Sequence, residues 1–433
     1  MKLEDRRDYM ARCDRCSHCK WTPGMPSGRF ASACPSIEYG QFHSYSGGGK
    51  NITAYAVMEN RLDGYSAETL RSVYACSACG ACDTACKWNH ADTVDPLDTI
   101  HALREKIVSD GAALPEHAAA MDALSRHGNC YGRPASERSN WAKGLRLKDI
   151  LVQPAPVLLH IGSENAYEPS QWPELRHVIT LLQRAKVNFG LLFDAEPDCG
   201  GYAFDIGFQD HARDAARKTV ELIARSKAER VITCSGEAHW AFQNVYPRLG
   251  VKLTGVRVEH ITQTVEGLIA AGALELPARR AAETVSYHDS CKLGRLSEPY
   301  VEWAGRWTQA MGQINITEPP RPIRYGNGGI YEAPRRLIDR VSEHRVELQR
   351  NRQLAYCCGA LGGGKEAYPD FARHAAMERL EEVRASGAGV VVSACGACTS
   401  HLREVARSAG VAVEVRGLFE FMARVEAQKE TTA

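Results

Sequence analysis

Cysteine spacing constrains this chain more than any other feature. Thirteen of its sixteen cysteines stand in three groups. Cys13, Cys16 and Cys19 repeat at C-x2-C-x2-C and are followed by Cys34-Pro35, while Cys76, Cys79, Cys82 and Cys86 form an unbroken C-x2-C-x2-C-x3-C run. Much later come Cys291, the adjacent pair Cys357-Cys358 with Gly359 behind it, and Cys395-x2-Cys398. A tight turn at x2 spacing aims two or three thiolates at one centre while a distant cysteine closes it, and thiolates are the soft donors that iron-sulfur clusters take. The first two groups therefore predict two cubane [4Fe-4S] clusters. In two-cluster ferredoxin runs the fourth ligand crosses over. That rule assigns Cys13, Cys16, Cys19 and Cys86 to one cluster, and Cys76, Cys79, Cys82 and Cys34 to the other. Zinc is the competing metal, but its four-cysteine sites use neither the third cysteine of the series nor a Cys-Pro closure.

With 433 residues and 44% hydrophobic content the chain can build two or three packed domains. Lys plus Arg (53) nearly equals Asp plus Glu (52), so no net field draws nucleic acid. No run of about eighteen apolar residues occurs, and Lys2, Glu4, Asp5, Arg6 and Arg7 place charge where a secretory signal needs an apolar stretch. The expectation is a soluble, cytoplasmic protein with no transmembrane segment. In that compartment dense cysteines serve metals or catalysis rather than disulfides.

The organisation reads as four segments. Residues 1–110 form a small helical domain: Ser66 can cap a turn carrying Leu70, Val73 and Tyr74, and Leu97, Ile100, Leu103 and Ile107 keep a helical period until Gly111. Residues 111–150 read as a loop-dominated connector with a basic run through Arg133, Arg138, Lys143, Arg146 and Lys148, most simply a solvated face. From 151 onward strands and helices alternate: Val157 to Ile161, the helix face Leu175, Val178, Ile179 and Leu182, then strands over Val187 to Phe193 and Val231 to Thr233. Such alternation implies βαβ units and a parallel sheet. The fold class is α+β and α/β: an N-terminal helical ferredoxin-like domain with two [4Fe-4S] clusters, then two repeated α/β cysteine-rich units with parallel sheets.

The repeat joins 151–278 to 279–433. The stretch from Arg230 to Glu237 matches that from Val390 to Cys398, and Cys199-Gly200 precedes Cys234 by 35 residues as Cys358-Gly359 precedes Cys395 by 37. Superposition sets Asp198 opposite Cys357, Glu237 opposite Cys398 and Ser163 opposite Cys291, so only Cys199 and Cys234 survive in the first unit. That unit reads as scaffold, with a carboxylate-plus-thiolate metal site from Asp198, Cys199, Cys234 and Glu237 as the competing reading.

The paired unit, led by Tyr287-His288-Asp289-Ser290-Cys291-Lys292-Leu293-Gly294-Arg295, resembles the cysteine-rich CCG repeat of the heterodisulfide reductase catalytic subunit, over nearly the whole chain. The wider family includes iron-sulfur subunits of glycerol-3-phosphate, glycolate and lactate oxidising systems. Tyr356 to Gly364 and Cys13 to Gly24 look most similar to the electron-transfer subunit of class II benzoyl-CoA reductase complexes. Two features depart from the pattern: the depleted first unit, and the 65 residues between Cys291 and Cys357, which place an inserted loop near 300–335 facing a partner or substrate. The resemblance implies that Cys291, Cys357, Cys358, Cys395 and Cys398 ligate a further cluster, noncubane or [4Fe-4S], at which substrate chemistry can occur. It also implies flavin-containing and other iron-sulfur subunits as partners, and peripheral association with a membrane subunit. Gly359, Gly362, Gly363 and Gly364 would let backbone N–H groups approach cluster sulfur.

His288 and His401 near these cysteines, and Lys365 behind the glycines, read first as packing or surface residues, and Cys130 as a small buried one. Trp88, Trp141, Trp240 and Trp303 show no stacking pattern. No Walker loop, no G-x-G-x-x-G after a strand and no nucleophile-elbow serine supports nucleotide or flavin binding on this chain. The functional expectation is a one-electron relay between a flavin-bearing partner and a terminal reductase or dehydrogenase. The alternative is a disulfide-reducing enzyme working at the C-terminal cysteines.

Overall fold

The computed structural model describes residues 2–25, 28–91, 93–278, 280–312 and 314–427; the expected boundary at 279 and the last six residues lie outside them. In the N-terminal part the longer helices are Gly47–Met58, Ala67–Tyr74, Ala81–His90 and Pro96–Ser109. Ser46 and Ser66 cap the first two, their hydroxyl oxygens accepting from the N–H groups of Gly49 and Thr69. Leu97, Ile100, Leu103 and Ile107 are all buried, as their period requires.

The connector differs from its loop reading, because Pro115–His127 is a helix. Pro115 opens it, three successive alanines carry it and Gly128 at φ +70° ends it. Only His117 and Met121 are buried, so little apolar periodicity marks it.

The first α/β unit contains β1 (Val157–His160), β2 (Phe189–Gly190), β3 (Arg230–Thr233) and β4 (Arg257–His260), all parallel, in the order β2-β1-β3-β4. β2 is shorter than the apolar run around it. After Gly190 the chain leaves β1, and Leu191 exchanges backbone hydrogen bonds with Lys148 and Ile150 of the connector. The second unit contains β5 (Ala281–Tyr287), the antiparallel hairpin of β6 (Arg306–Ala310) and β7 (Ile314–Glu318), then β8 (Ser342–Val346), β9 (Val390–Ser393) and β10 (Glu414–Gly417). Its parallel sheet has the order β10-β9-β5-β8. The hairpin and its flanks make up the insertion, between β5 and β8. With that hairpin set aside, the first sheet runs second, first, third, fourth strand, and the second sheet runs fourth, third, first, second.

The two orders are one order read from opposite edges, and register aligns the units residue by residue. His160 pairs with Thr233 on β3, and Tyr287 with Val392 on β9, which makes His288 the counterpart of His160 and Cys291 that of Ser163. One apolar core runs through both sheets, with Leu159, Leu175 and Ile232 joined to Val285, Val392 and Phe421. A second core includes Cys79 and Leu97 with Leu158, Phe204, Cys291 and Cys357, so the helical part packs directly on both units. Among the described residues no helix is long and apolar enough to cross a membrane.

Candidate metal centres

The N-terminal cysteines gather in two interleaved groups. Cys19 stands beside Cys13 and Cys16, and the far-off Cys86 faces the same three; burial pushes its thiol up, helped by Asp83 and by those neighbours. Cys34 lies with Cys76 and Cys79. Burial pushes its thiol up to about 12 against the opposing charge of Lys50, whose buried Nζ donates to Ser36 Oγ at 3.0 Å. Cys82 stands among Cys34, Cys76 and Cys79, with Cys19 next in range, so the two groups adjoin through Cys82 and Cys19. Glycines permit this crowding: a Cβ on Gly47 would lie 2.9 Å from Cys82 Cβ, and the Gly48 N–H donates to Cys19 Sγ at 3.3 Å.

The second group leads into the C-terminal cysteines. The Cys79 thiol is held up first by its contact with Cys357, then by burial. Cys357 Sγ is 3.9 Å from Cys291 Sγ, and Cys358 Sγ is 3.3 Å from Cys398 Sγ. The thiols of Cys357 and Cys398 point at Cys358 and hold it well below its ordinary value, with His288 adding to the effect; the Cys398 thiol does the same to Cys395. His288, Cys358 and Cys398 present ligand atoms within 4.8 Å of one another. All five cysteines are buried.

Buried arginines fix these loops. Arg104 donates to the carbonyls of Cys76 at 2.7 Å, Gly362 at 2.8 Å and Asp205 at 2.8 Å, tying the helical part to both units. Arg295 Nε donates to Cys79 O at 2.9 Å and its Nη1 to Gln353 O at 2.6 Å. Arg379 donates to His288 Nδ1 at 3.0 Å and Lys292 to Asp205 at 2.6 Å. Sequence reading misses this frame, because an arginine bound for a buried carbonyl looks in sequence like any surface arginine.

The four glycines divide. Gly359 N–H donates to Cys357 Sγ at 3.4 Å. Gly362, Gly363 and Gly364 instead allow close contact between segments: a Cβ there would meet Ser77 O at 2.1 Å, Ile206 Cγ2 at 2.3 Å and Phe371 Cε1 at 2.8 Å. His401 binds Ala372 O at 3.1 Å, and Lys365 lies 3.8 Å from Glu404. Cys130 is half-buried, its thiol pushed up by burial and by Asp198 and Glu237. Trp240 carries Lys292 Nζ 3.2 Å above its ring.

In the first unit oxygen replaces sulfur at the matching points. Ser163 Oγ donates to Asp198 Oδ2 at 2.7 Å where Cys291 faces Cys357, and the Gly200 N–H donates to Asp198 Oδ1 at 2.9 Å where Gly359 donates to Cys357. Among the described residues, Asp198, Cys199, Cys234 and Glu237 form no group close enough to share one ion.

The donor set elsewhere fits iron-sulfur chemistry. Thiols converge from separate segments of the chain, and burial pushes those of Cys19, Cys34, Cys82 and Cys86 up, so that these give up their protons readily only to a metal. Imidazoles join the thiols at His288, beside Cys358 and Cys398, and at Cys16, whose Sγ lies 3.1 Å from His90 Nε2, itself 3.3 Å from His18 Nδ1.

Known proteins agree with this chemistry. A family model described as "Cysteine-rich domain" matches residues 323–403, which hold Cys357, Cys358, Cys395 and Cys398. A "Probable membrane-anchored ferredoxin" of Chromohalobacter salexigens is 29% identical over 82% of this chain and 48% of its own length. The "Probable iron-sulfur-binding oxidoreductase FadF" of Bacillus subtilis is 25% identical over 77% of this chain and 43% of its own. The chain thus spans about half the length of those two relatives. One subunit of the dihydromethanophenazine:CoB–CoM heterodisulfide reductase of Methanosarcina barkeri is 24% identical over 90% of this chain and 88% of its own length. In its thiol constellation, its fold and these relatives, the chain is similar to the heterodisulfide reductase-like, cysteine-rich CCG-domain iron-sulfur oxidoreductases.

Proposed function

We propose that the chain is the iron-sulfur electron-transfer subunit of a multi-subunit oxidoreductase, passing single electrons between a flavin-containing partner and a reductase or dehydrogenase subunit. In this reading Cys13, Cys16, Cys19 and Cys86 hold one [4Fe-4S] cluster, and Cys34, Cys76, Cys79 and Cys82 a second. Cys291, Cys357, Cys358, Cys395 and Cys398 hold a third centre. When bound, these centres supply one-electron oxidation and reduction.

One observation carries the reading: the three groups of thiols are consecutive neighbours, meeting at Cys82 and Cys19 and again at Cys79 and Cys357. The chain's own residues keep that order fixed. Arg104 and Arg295 clamp the carbonyls of Cys76 and Cys79 against both α/β units, while the buried cations Lys50 and Lys292 lie beside cysteine loops whose thiolates would be negative. Burial of all five C-terminal thiols favours a relay over turnover of a bulky substrate on this chain. A complex like class II benzoyl-CoA reductase is the favoured setting, on the likeness of residues 13–24 and 356–364, with the chain cytoplasmic and bound to its partner subunits.

Iron analysis and EPR of anaerobically purified protein test the reading. The expected result is about twelve irons per chain in three spectroscopically distinct centres. A folded, colourless, iron-free protein would defeat it. A disulfide-reducing role, the activity named for the Methanosarcina relatives, would replace the relay if the isolated holoprotein turned over a disulfide with a reduced dye.

A further inference from the structure

Of the thirteen cysteines in the three groups, Cys16 alone is exposed. The face around it combines charge with bare aromatic surface. Between residues 12 and 20 three cations, Arg12, Arg15 and Lys20, stand against the single carboxylate Asp14, although the whole chain carries a formal charge of only +1. Arg15 and Lys20 both act on His43, whose ring lies at the point where Cys13 and Cys19 converge, 3.7 Å from the Cβ position of Gly48, as are both sulfurs. Beside His43, Phe42 is 71% exposed, and beside Lys20, Trp21 is 54% exposed.

The inserted hairpin borders the same face. Arg12 stacks 3.9 Å over the Trp307 ring, and Tyr9 meets that ring edge-on at 5.9 Å. Beyond this contact the hairpin leaves Met311 and Ile314 in solvent, at 94% and 57% exposure. Exposed apolar side chains next to like-signed charge are the composition of a transient docking site, where charge steers the encounter and apolar contact orients it.

Resting on the function proposed above, we infer that the face formed by Cys16, Arg15, Lys20, Phe42 and the strands β6 and β7 is where an electron carrier docks. The carrier is a protein with an acidic surface around its own redox centre. The cationic rim attracts that surface, and Cys16 is the most exposed thiol of the relay. The basic run of the connector is the competing dock for the same acidic partner.

Stopped-flow reduction of the iron-loaded protein by a photoreduced acidic flavodoxin tests this. Arg15→Glu with Lys20→Glu is expected to lower the second-order rate constant about tenfold at low ionic strength, with the difference fading as salt approaches about 0.5 M. Phe42→Ala and Ile314→Ser should lower it at every salt concentration. Reduction of the same variants by a photogenerated deazaflavin radical, a small neutral donor, should be unchanged, and so should their iron content. Lys143→Glu with Arg146→Glu, in the connector, should behave as wild type. Steering lost through the connector pair instead would overturn the assignment. So would a charge-reversal effect confined to the midpoint potential, which would make these cations charge balance for the thiolates. Loss of iron from wild-type protein itself would defeat the relay reading, a result distinguishable from failure at the dock.

Discussion

The two α/β units have one backbone and two chemistries. Each sheet places its first and third strands at the centre and its second and fourth at the edges, the inserted hairpin aside. Each carries a left-handed glycine behind its cysteine, Gly200 at φ +75° and Gly359 at φ +87°. A Cβ on either would lie 2.9 Å from the carbonyl oxygen of the matching helical residue, Ala212 or Ala372. Each glycine N–H donates to the residue two before it, but that residue is Asp198 in the first unit and Cys357 in the second. The same loop presents carboxylate and hydroxyl at two points in the first unit and sulfur at the matching points in the second. The pair Ser163–Asp198 satisfies itself with a hydrogen bond and needs no metal, whereas the facing thiols Cys291 and Cys357 bond each other only weakly. Backbone geometry therefore belongs to the fold, and the metal to the side chains alone.

The comparison can be broken most directly at the cysteines behind which these glycines stand. Cys358→Ser should remove about a third of the iron and one EPR signal, while Cys199→Ser should leave both unchanged. Equal iron loss from the two variants would erase the distinction between the units. Next in size are the glycines themselves. Gly200→Ala and Gly359→Ala each combine positive φ with a backbone clash, so each should cost at least about 2 kcal/mol and lower Tm by several degrees. A neutral Gly200→Ala would show that the two loops are not equivalent.

A smaller effect lies at the seam between the units. Glu174, on the helix Trp172–Arg184 of the first unit, accepts from the Phe419 N–H of the second at 3.2 Å, and burial pushes its carboxyl up to about 8. The folded protein thus holds this proton more tightly than the unfolded chain, whose glutamates titrate near about 4.3. Its contribution to stability is complete below that lower value, declines as pH rises and is gone above about 8. Tm measured from pH 6 to 9 should fall more in the wild type than in Glu174→Gln. Identical profiles would refute the shift. Smallest of all, Ser163→Ala should cost about 1 kcal/mol by leaving one Asp198 oxygen without its donor, and Tm would record it with the iron content unchanged.

Much of the fold is legible in sequence because local physics decides it. The helix Pro96–Ser109 shows itself through four apolar residues on one face, and β9 through a run of valines and serine buried throughout, as a parallel strand requires. The helix Pro115–His127 escapes such reading because nearly all of it faces solvent and leaves no apolar stripe. The strand expected over Val187 to Phe193 is only Phe189–Gly190 because the connector, remote in sequence, competes for its hydrogen bonds. His288 reads as a packing residue, yet it stands against Cys358 and Cys398; adjacency across a fold leaves no trace in spacing.

Sequence by itself determined which thiols are local neighbours, since two intervening residues allow only a tight turn, and it determined the repeat, since matching strand-to-helix junctions recur at matching distances. Spacing and the crossover rule already set Cys86 with Cys13, Cys16 and Cys19 and Cys34 with Cys76 and Cys79; only the tertiary structure decided that Cys82 adjoins Cys19 and that Cys79 reaches Cys357. Those meetings depend on three segments packing around buried arginines whose partners are backbone carbonyls, and a carbonyl is identical at every position in the chain.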